Sequence, residues 1–226
     1  MKRYPPIQAV LFDLDGLLVD SEQAWNRARI ALAKEFGAVW TEKEQRAQAG
    51  VHTDVWVNNV RKCIGGALSP DEVQERIVSS MESYYRAGEV PLLPGATECI
   101  KHCRKHFKTA LASGSPRRLI DAALEGTGWG TFFDEVISSD EVGAGKPAPD
   151  VYLEVLRKLN VEPSSALVLE DSGAGIRSGK AAGAFVIAVP NPETNPGPDV
   201  LALADLILPS LRDVERHFPS TDSQSH

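Results

Sequence analysis

An uninterrupted apolar run, Ala9-Val10-Leu11-Phe12, leads straight into Asp13-Leu14-Asp15-Gly16. A short apolar run bounded by polar and turn residues reads as a strand buried on both faces, and such strands lie at the centre of parallel sheets. A strand with no solvent face needs helices on both sides of its sheet, so this stretch narrows the fold more than any other. The polar pair stands at the carboxyl end of the strand, where open α/β sheets bind their ligands. On an extended backbone Asp13 and Asp15 share one side, and two carboxylates that close repel unless a cation relieves them. The stretch points to a divalent-metal site with an acid–base pair; a strand that merely ends in a polar turn is the plainer alternative.

No strand signal appears between Asp20 and Gly88. One helix is expected from Asp20-Ser21 to Gly37, with Trp25, Ala28, Leu32 and Phe36 on one stripe. Thr41 with Glu44 starts a second, to about Ala49; Trp56, Val57, Val60 and Ile64 mark a third. Ser69-Pro70-Asp71-Glu72 opens a fourth, whose buried face is read as Val73, Ile77, Met81 and Tyr84. These helices read as a bundle inserted after the first strand, with Glu89 to Pro94 as the return linker.

From Gly95 helix and strand alternate. Helices are expected over Ala96–His106, Arg117–Glu125, Pro149–Leu159 and Ala174–Ala182. Strands are expected over Ile7–Phe12, Lys108–Ala112, Phe133–Ile137, Ala166–Leu169, Ala184–Val189 and, briefly, Leu206–Leu208. Pro190 to Pro198 reads as a loop, Ser210 caps a last helix to about His217, and Pro219 to His226 is polar and frayed. The fold class is α/β: a Rossmann-like parallel sheet with helices on both faces, plus an inserted helical domain. Residues 1–18 and 93–218 form the core domain, 19–92 the insert and 219–226 a flexible tail.

Composition narrows the partners. With 42% hydrophobic and 24% charged residues in 226, a packed globular core is expected. A net charge of -7 argues against nucleic acid, whose backbone needs a basic face, but leaves room for a small phosphorylated ligand. No apolar run approaches the ~20 residues of a membrane helix, and Lys2-Arg3-Tyr4-Pro5-Pro6 lacks the features of a signal peptide. The three cysteines, Cys63, Cys99 and Cys103, suggest no disulfide framework. The expectation is a cytoplasmic protein with no membrane partner.

In a parallel sheet the carboxyl ends of the strands share one rim. That rim collects Asp13 and Asp15, Ser113 from the next core strand, and Glu170 with Asp171 from another; Lys146 in Gly145-Lys146-Pro147 can reach it. Carboxylate oxygens make a hard-cation site that suits magnesium, and a hydroxyl and an ammonium remain to hold an anion, most naturally a phosphoryl group. Taken singly, Ser113 is a turn residue, Lys146 a solvated lysine, and Glu170 and Asp171 a helix cap.

Together, Asp13-Leu14-Asp15-Gly16, Ser113-Gly114, Lys146-Pro147 and Glu170-Asp171-Ser172 resemble the four motifs of the haloacid dehalogenase-like superfamily. The resemblance covers nearly the whole chain, and the helical insert is similar to that superfamily's type I cap. The phrases from Asp13 to Glu22 and from Gly145 to Asp150 resemble the subgroup of sugar-phosphate phosphatases and beta-phosphoglucomutase, with hexitol-phosphate and 2-deoxyglucose-6-phosphate phosphatases the nearest likeness. The resemblance implies a magnesium-dependent phosphatase acting on a small sugar or polyol monophosphate. Asp13 is the implied nucleophile and Asp15 the implied acid and base. Mg2+ is implied on Asp13, the backbone carbonyl of Asp15, Asp171 and, in the inner or outer shell, Glu170. Ser113, Gly114 and Lys146 are implied at the phosphoryl group.

Two alternatives stand beside this reading: a beta-phosphoglucomutase-like mutase, and a non-catalytic phosphometabolite-binding protein. The mutase subgroup has a histidine where this chain has Trp25 and an arginine where it has Thr53. Glu22, Gly50 and His52 are candidates for reading the substrate, whereas Trp25 and Trp56 fit core packing better. Val19-Asp20 and Glu89 to Pro94 are the expected hinges of the cap. Cys99, His102, Cys103 and His106 share a helix but match no zinc spacing. A chain with its own cap is expected to be a monomer.

Overall fold

The computed structural model describes residues 5–46, 53–191 and 196–218. Strand β1 (Ala9–Phe12) is fully buried and is paired on both sides, by β2 (Lys108–Ser113) and β4 (Ala166–Glu170). Successive side chains on a strand point to opposite faces, so Ala9 and Leu11 join one apolar cluster and Val10 and Phe12 the other. With β3 (Glu135–Ser138), β5 (Phe185–Ala188) and β6 (Leu206–Ile207) the sheet runs β3-β2-β1-β4-β5-β6, every pair parallel.

Helices α7 (Asp150–Leu159) and α8 (Gly173–Ala181) cover the face carrying Leu11. Helices α5 (Ala96–His106) and α6 (Arg117–Thr127) contribute to the other. A four-residue helix, α9 (Pro198–Leu201), precedes β6. Ser210 accepts the Arg212 N–H and caps a 3-10 turn, Leu211–Asp213, before α10 (Val214–His217). The expected last helix is therefore in two short pieces. Residues 192–195 of the Pro190–Pro198 loop and the 219–226 tail lie outside the described residues.

The inserted segment is helical, as expected. It holds α1 (Glu22–Glu35), α2 (Glu42–Arg46), α3 (Thr53–Cys63) and α4 (Pro70–Arg86). The continuation of the second helix to Ala49 lies outside the described residues. The chain leaves and re-enters the core along two paired segments: Asp20 N–H donates to the Pro91 carbonyl at 2.8 Å, and Leu93 N–H to that of Leu18 at 2.9 Å. The insert is not sealed off, because its buried side chains run into one apolar cluster with α5, α6 and that face of the sheet.

Two local expectations differ from the outcome. Ser21 precedes α1 in a helical conformation, and its side chain makes no cap hydrogen bond. On α4 the stripe Val73, Ile77, Met81 continues to Tyr85, which is buried, while Tyr84 is half-exposed beneath the Arg27 guanidinium. A four-residue step from Met81 leads to Tyr85 and a three-residue step to Tyr84; with Val78 also buried, the apolar face of this helix lies toward Tyr85. Ser69 does form the full capping box, with the Glu72 N–H donating to Ser69 Oγ at 3.3 Å and the Ser69 N–H to Glu72 Oε2 at 2.8 Å. Ser69→Ala is expected to lower stability by about 1 kcal/mol, read as a urea midpoint shift with unchanged slope. Among the described residues no helix is long and apolar enough to cross a membrane.

Candidate active site

The register explains why distant residues meet. Phe12 stands level with Leu111 of β2 and Leu169 of β4, so one step further along brings Asp13, Ala112-Ser113 and Glu170-Asp171 to a common rim. Asp13 N–H donates to the Leu169 carbonyl at 3.2 Å, which fixes the first aspartate to the neighbouring strand. Lys146, from the loop before α7, reaches in from above β2. Its Nζ lies 2.6 Å from Asp13 Oδ1, 2.7 Å from Glu170 Oε1 and 2.9 Å from the Ala112 carbonyl. An ammonium has three protons, so these partners use them all.

Glu170 is fully buried, and both its oxygens are engaged. Oε1 accepts from Lys146 and, at 2.7 Å, from the Tyr152 hydroxyl; Oε2 accepts from the Asp171 and Ser172 N–H groups at 3.2 Å and from Ser172 Oγ at 3.0 Å. A Cβ on Gly175 would stand 1.7 Å from Glu170 Oε1, so the carboxylate occupies the space a side chain there would fill. Ser172, rather than Glu170 or Asp171, caps α8, accepting the Gly175 N–H at 3.1 Å. Tyr152 drew no notice in the sequence; the available signal was a tyrosine beside Val151 on the helix that follows Lys146-Pro147.

Among the described residues, one group of acidic side chains is placed to share a cation: Asp13, Glu170 and Asp171, all buried, with oxygens within 4.8 Å of one another. Three carboxylates against one ammonium leave this pocket short of positive charge. The Asp13 carboxyl is pushed up to about 7: burial raises it most, the Lys146 ammonium opposes the rise, and the Glu170 and Asp15 carboxylates add to it. Burial works against the Lys146 charge too, but the Asp13 and Glu170 carboxylates overcome it and hold the ammonium well above the usual lysine range. Oxygen donors, compact spacing and missing positive charge fit a hard divalent cation such as magnesium. Gly16, at φ +84, is part of this cradle, since a Cβ there would stand 2.3 Å from Asp171 Oδ2.

Asp15 does not share the pocket with its side chain. The strand ends at Phe12, and the chain then turns tightly, with Gly16 N–H on the Val19 carbonyl at 2.9 Å and Leu18 N–H on that of Leu14 at 2.9 Å. The extended geometry expected for both aspartates therefore stops before Asp15. Its Oδ1 accepts the Tyr85 hydroxyl at 2.8 Å and its Oδ2 the Ser115 hydroxyl at 2.6 Å. Burial first, then the Asp15 carboxylate, keep the Tyr85 hydroxyl well above the ordinary tyrosine range, so it stays a donor. Sequence reasoning assigned neither residue. Tyr85 was obscured by the one-residue ambiguity on α4, and Ser115 by its more prominent neighbour Ser113.

Ser113 is buried at the end of β2 and its Oγ accepts the Ser115 N–H at 3.0 Å; Gly114 is exposed, with open space above it. Glu22 turns toward its own domain, 3.7 Å from the Arg29 guanidinium and hydrogen-bonded by Gln45. Gly50, His52 and the body of the loop that carries them lie outside the described residues. Trp25 and Trp56 pack on each other at 5.9 Å between ring centroids, with the Arg29 guanidinium 5.6 and 5.9 Å from their rings. Cys99 and Cys103 are buried in the core, and His102 Nε2 bonds the Phe218 carbonyl at 2.9 Å, so that helix offers no clustered ligand set.

A family model described as haloacid dehalogenase-like hydrolase matches residues 7–183. The chain is 34% identical over 212 residues to hexitol phosphatase B of Escherichia coli, covering 92% of this chain and 94% of that one. Among solved structures, CbbY from Rhodobacter sphaeroides in complex with phosphate superposes with a TM-score of 0.80 at 27% identity, covering 92% of this chain and 96% of that one. Beta-phosphoglucomutase from Clostridium difficile gives a TM-score of 0.75 at 24% identity, over 94% and 95% of the two chains, a likeness of fold.

Proposed function

The chain belongs to the haloacid dehalogenase-like hydrolase family and is a phosphatase, and we propose that it releases phosphate from a small sugar or polyol monophosphate through an aspartyl-phosphate on Asp13. The observation that carries this reading is the separation of two aspartates one residue apart. Asp13 lies in the buried carboxylate cluster against Lys146, while Asp15 is held outside it by two hydroxyls. Two acids in unlike surroundings can take unlike roles.

In the first step a carboxylate oxygen of Asp13 bonds to phosphorus as the bond from phosphorus to the sugar oxygen breaks, and the Asp15 carboxyl gives that oxygen its proton. In the second, the Asp15 carboxylate takes a proton from water as the water oxygen bonds to phosphorus, and the bond to Asp13 breaks to free inorganic phosphate. Asp13, Asp171 and the Asp15 carbonyl would hold magnesium directly, with Glu170, whose oxygens accept from Lys146, Tyr152 and the Ser172 turn, in the outer shell; the ion would supply positive charge to offset that of the nucleophile and the phosphoryl group. Lys146 acts on the same charge. Its three protons are committed to the protein, so it serves as a fixed positive charge beside the nucleophile until a phosphoryl oxygen displaces one partner. Ser113 Oγ accepts from Ser115 and keeps its own proton to donate to the phosphoryl group.

The test is phosphate release from a panel of hexose, pentose, polyol and nucleotide monophosphates, with magnesium and with chelator. Release from sugar or polyol esters that chelator abolishes and magnesium restores is expected. Turnover confined to nucleotides, or unaffected by chelator, would count against the reading. Isomerisation of a sugar phosphate that needs a bisphosphate primer would identify a mutase, and tight binding without turnover a sensor. The 34% identity to hexitol phosphatase B, over 92% of this chain, supports release to water.

A further inference from the structure

The pair of hydroxyls on Asp15 has a structural origin that reaches well beyond the turn after β1. Ser115 stands in the short link between β2 and α6, and Tyr85 lies in the last turn of α4, in the insert. These two helices pack directly on each other. A Cβ on Gly126 of α6 would stand 2.1 Å from the Tyr85 carbonyl oxygen, so the α4 backbone is pressed against α6 at that point. Ion pairs flank the contact. Arg86 Nε meets Glu125 at 3.0 Å on one side; on the other, Arg118 meets both oxygens of Glu75 at 2.8 and 2.6 Å. Tyr85 is buried, 3% exposed, and its hydroxyl has come across from the insert to the core's aspartate.

Resting on the phosphatase reading, we propose that Tyr85 is a positioning residue: seated by the α4–α6 contact, it aims the Asp15 carboxyl at the leaving oxygen and so couples the seating of the helical insert to proton transfer. Tyr85 transfers no proton itself. Each carboxyl oxygen has a second lone-pair direction, so Asp15 can accept from Tyr85 on Oδ1 and still carry and deliver its proton. Without the Tyr85 bond the carboxylate keeps Ser115 alone and is free to rotate about it. Misaimed acids lose efficiency most where the leaving group needs a proton most.

The experiment is Tyr85→Phe, which removes one oxygen and keeps the ring. It compares kcat/KM on the best sugar or polyol phosphate with kcat/KM on p-nitrophenyl phosphate, whose leaving group departs without protonation. The sugar ester is expected to lose on the order of tenfold more than the aryl ester. Equal losses on both esters, or no loss on either, would remove Tyr85 from the proton-transfer machinery while leaving the phosphatase intact. A wild-type protein that hydrolyses neither ester would overturn the phosphatase reading and this proposal with it.

Discussion

Asp13→Asn is expected to lower phosphate release by about 10⁴-fold or more, which is roughly 5 kcal/mol of barrier. The amide is nearly isosteric with the carboxylate but has no anionic oxygen to bond to phosphorus. The same variant should change the pH dependence of folding. In the metal-free protein Asp13 is raised from 3.8 to about 7, so the folded state holds its proton over a pH range in which the unfolded chain has lost it. The sign follows: stability from this group is fully present below about 4, falls as pH rises, and is gone above about 7, a loss on the order of 4 kcal/mol. The asparagine variant has no such group. Measured in chelator by urea unfolding, wild type should lose ground to the variant between pH 4 and pH 8. Added magnesium should shrink the difference, because a cation at the carboxylates favours their charged form. A wild-type protein whose stability relative to the variant does not move with pH would show that Asp13 is not under this strain.

That strain indicates how the sequence could and could not be read. The apolar run into Asp13 carried most of the fold, because a strand without a solvent face demands a covered parallel sheet. The rim followed from it: strand ends in such a sheet face one way, so Asp13, Ser113, Glu170 and Asp171 could be gathered without knowing the strand order. Lys146 was reachable by reasoning because its loop precedes a helix with a well-marked start. The residues that orient these groups were harder to see. Tyr85 and Tyr152 are large and mostly apolar, and their helices bury them like any core residue; only the position of one hydroxyl oxygen gives each its role. Period arguments place a side chain on a face of a helix but do not say what its tip meets. The expectation that Asp13 and Asp15 share one side fails for a related reason. Period-2 spacing holds only while the strand does, and this strand stops at Phe12.

The second large effect concerns the ammonium at the centre of the site. Lys146→Met keeps most of the side-chain stem and removes the charge, leaving Asp13 and Glu170 facing each other with 9% and 0% of their side chains exposed. Breaking a buried ion pair by deleting one partner costs about 3–5 kcal/mol, because the remaining charge has neither water nor a counter-ion. Two carboxylates share Lys146, so the upper part of that range is expected at pH 8 in chelator, read by urea unfolding. Without the ammonium the Asp13 carboxyl should rise further, because Lys146 is the cation that lowers it, and at low pH that carboxyl is neutral in the folded state. The cost of the substitution should therefore shrink as pH falls toward 5. Lys146→Arg should not restore stability: the guanidinium is planar and larger, and Nζ sits between Asp13, Glu170 and the Ala112 carbonyl at 2.6 to 2.9 Å, an arrangement suited to a compact tetrahedral donor. Magnesium should recover part of the loss in Lys146→Met by replacing one positive charge with another, but not the activity, since the fixed charge beside the nucleophile would still be missing. A methionine variant as stable as wild type at pH 8 would mean that the ion pairs of Lys146 contribute nothing to folding and that the ammonium acts in catalysis alone.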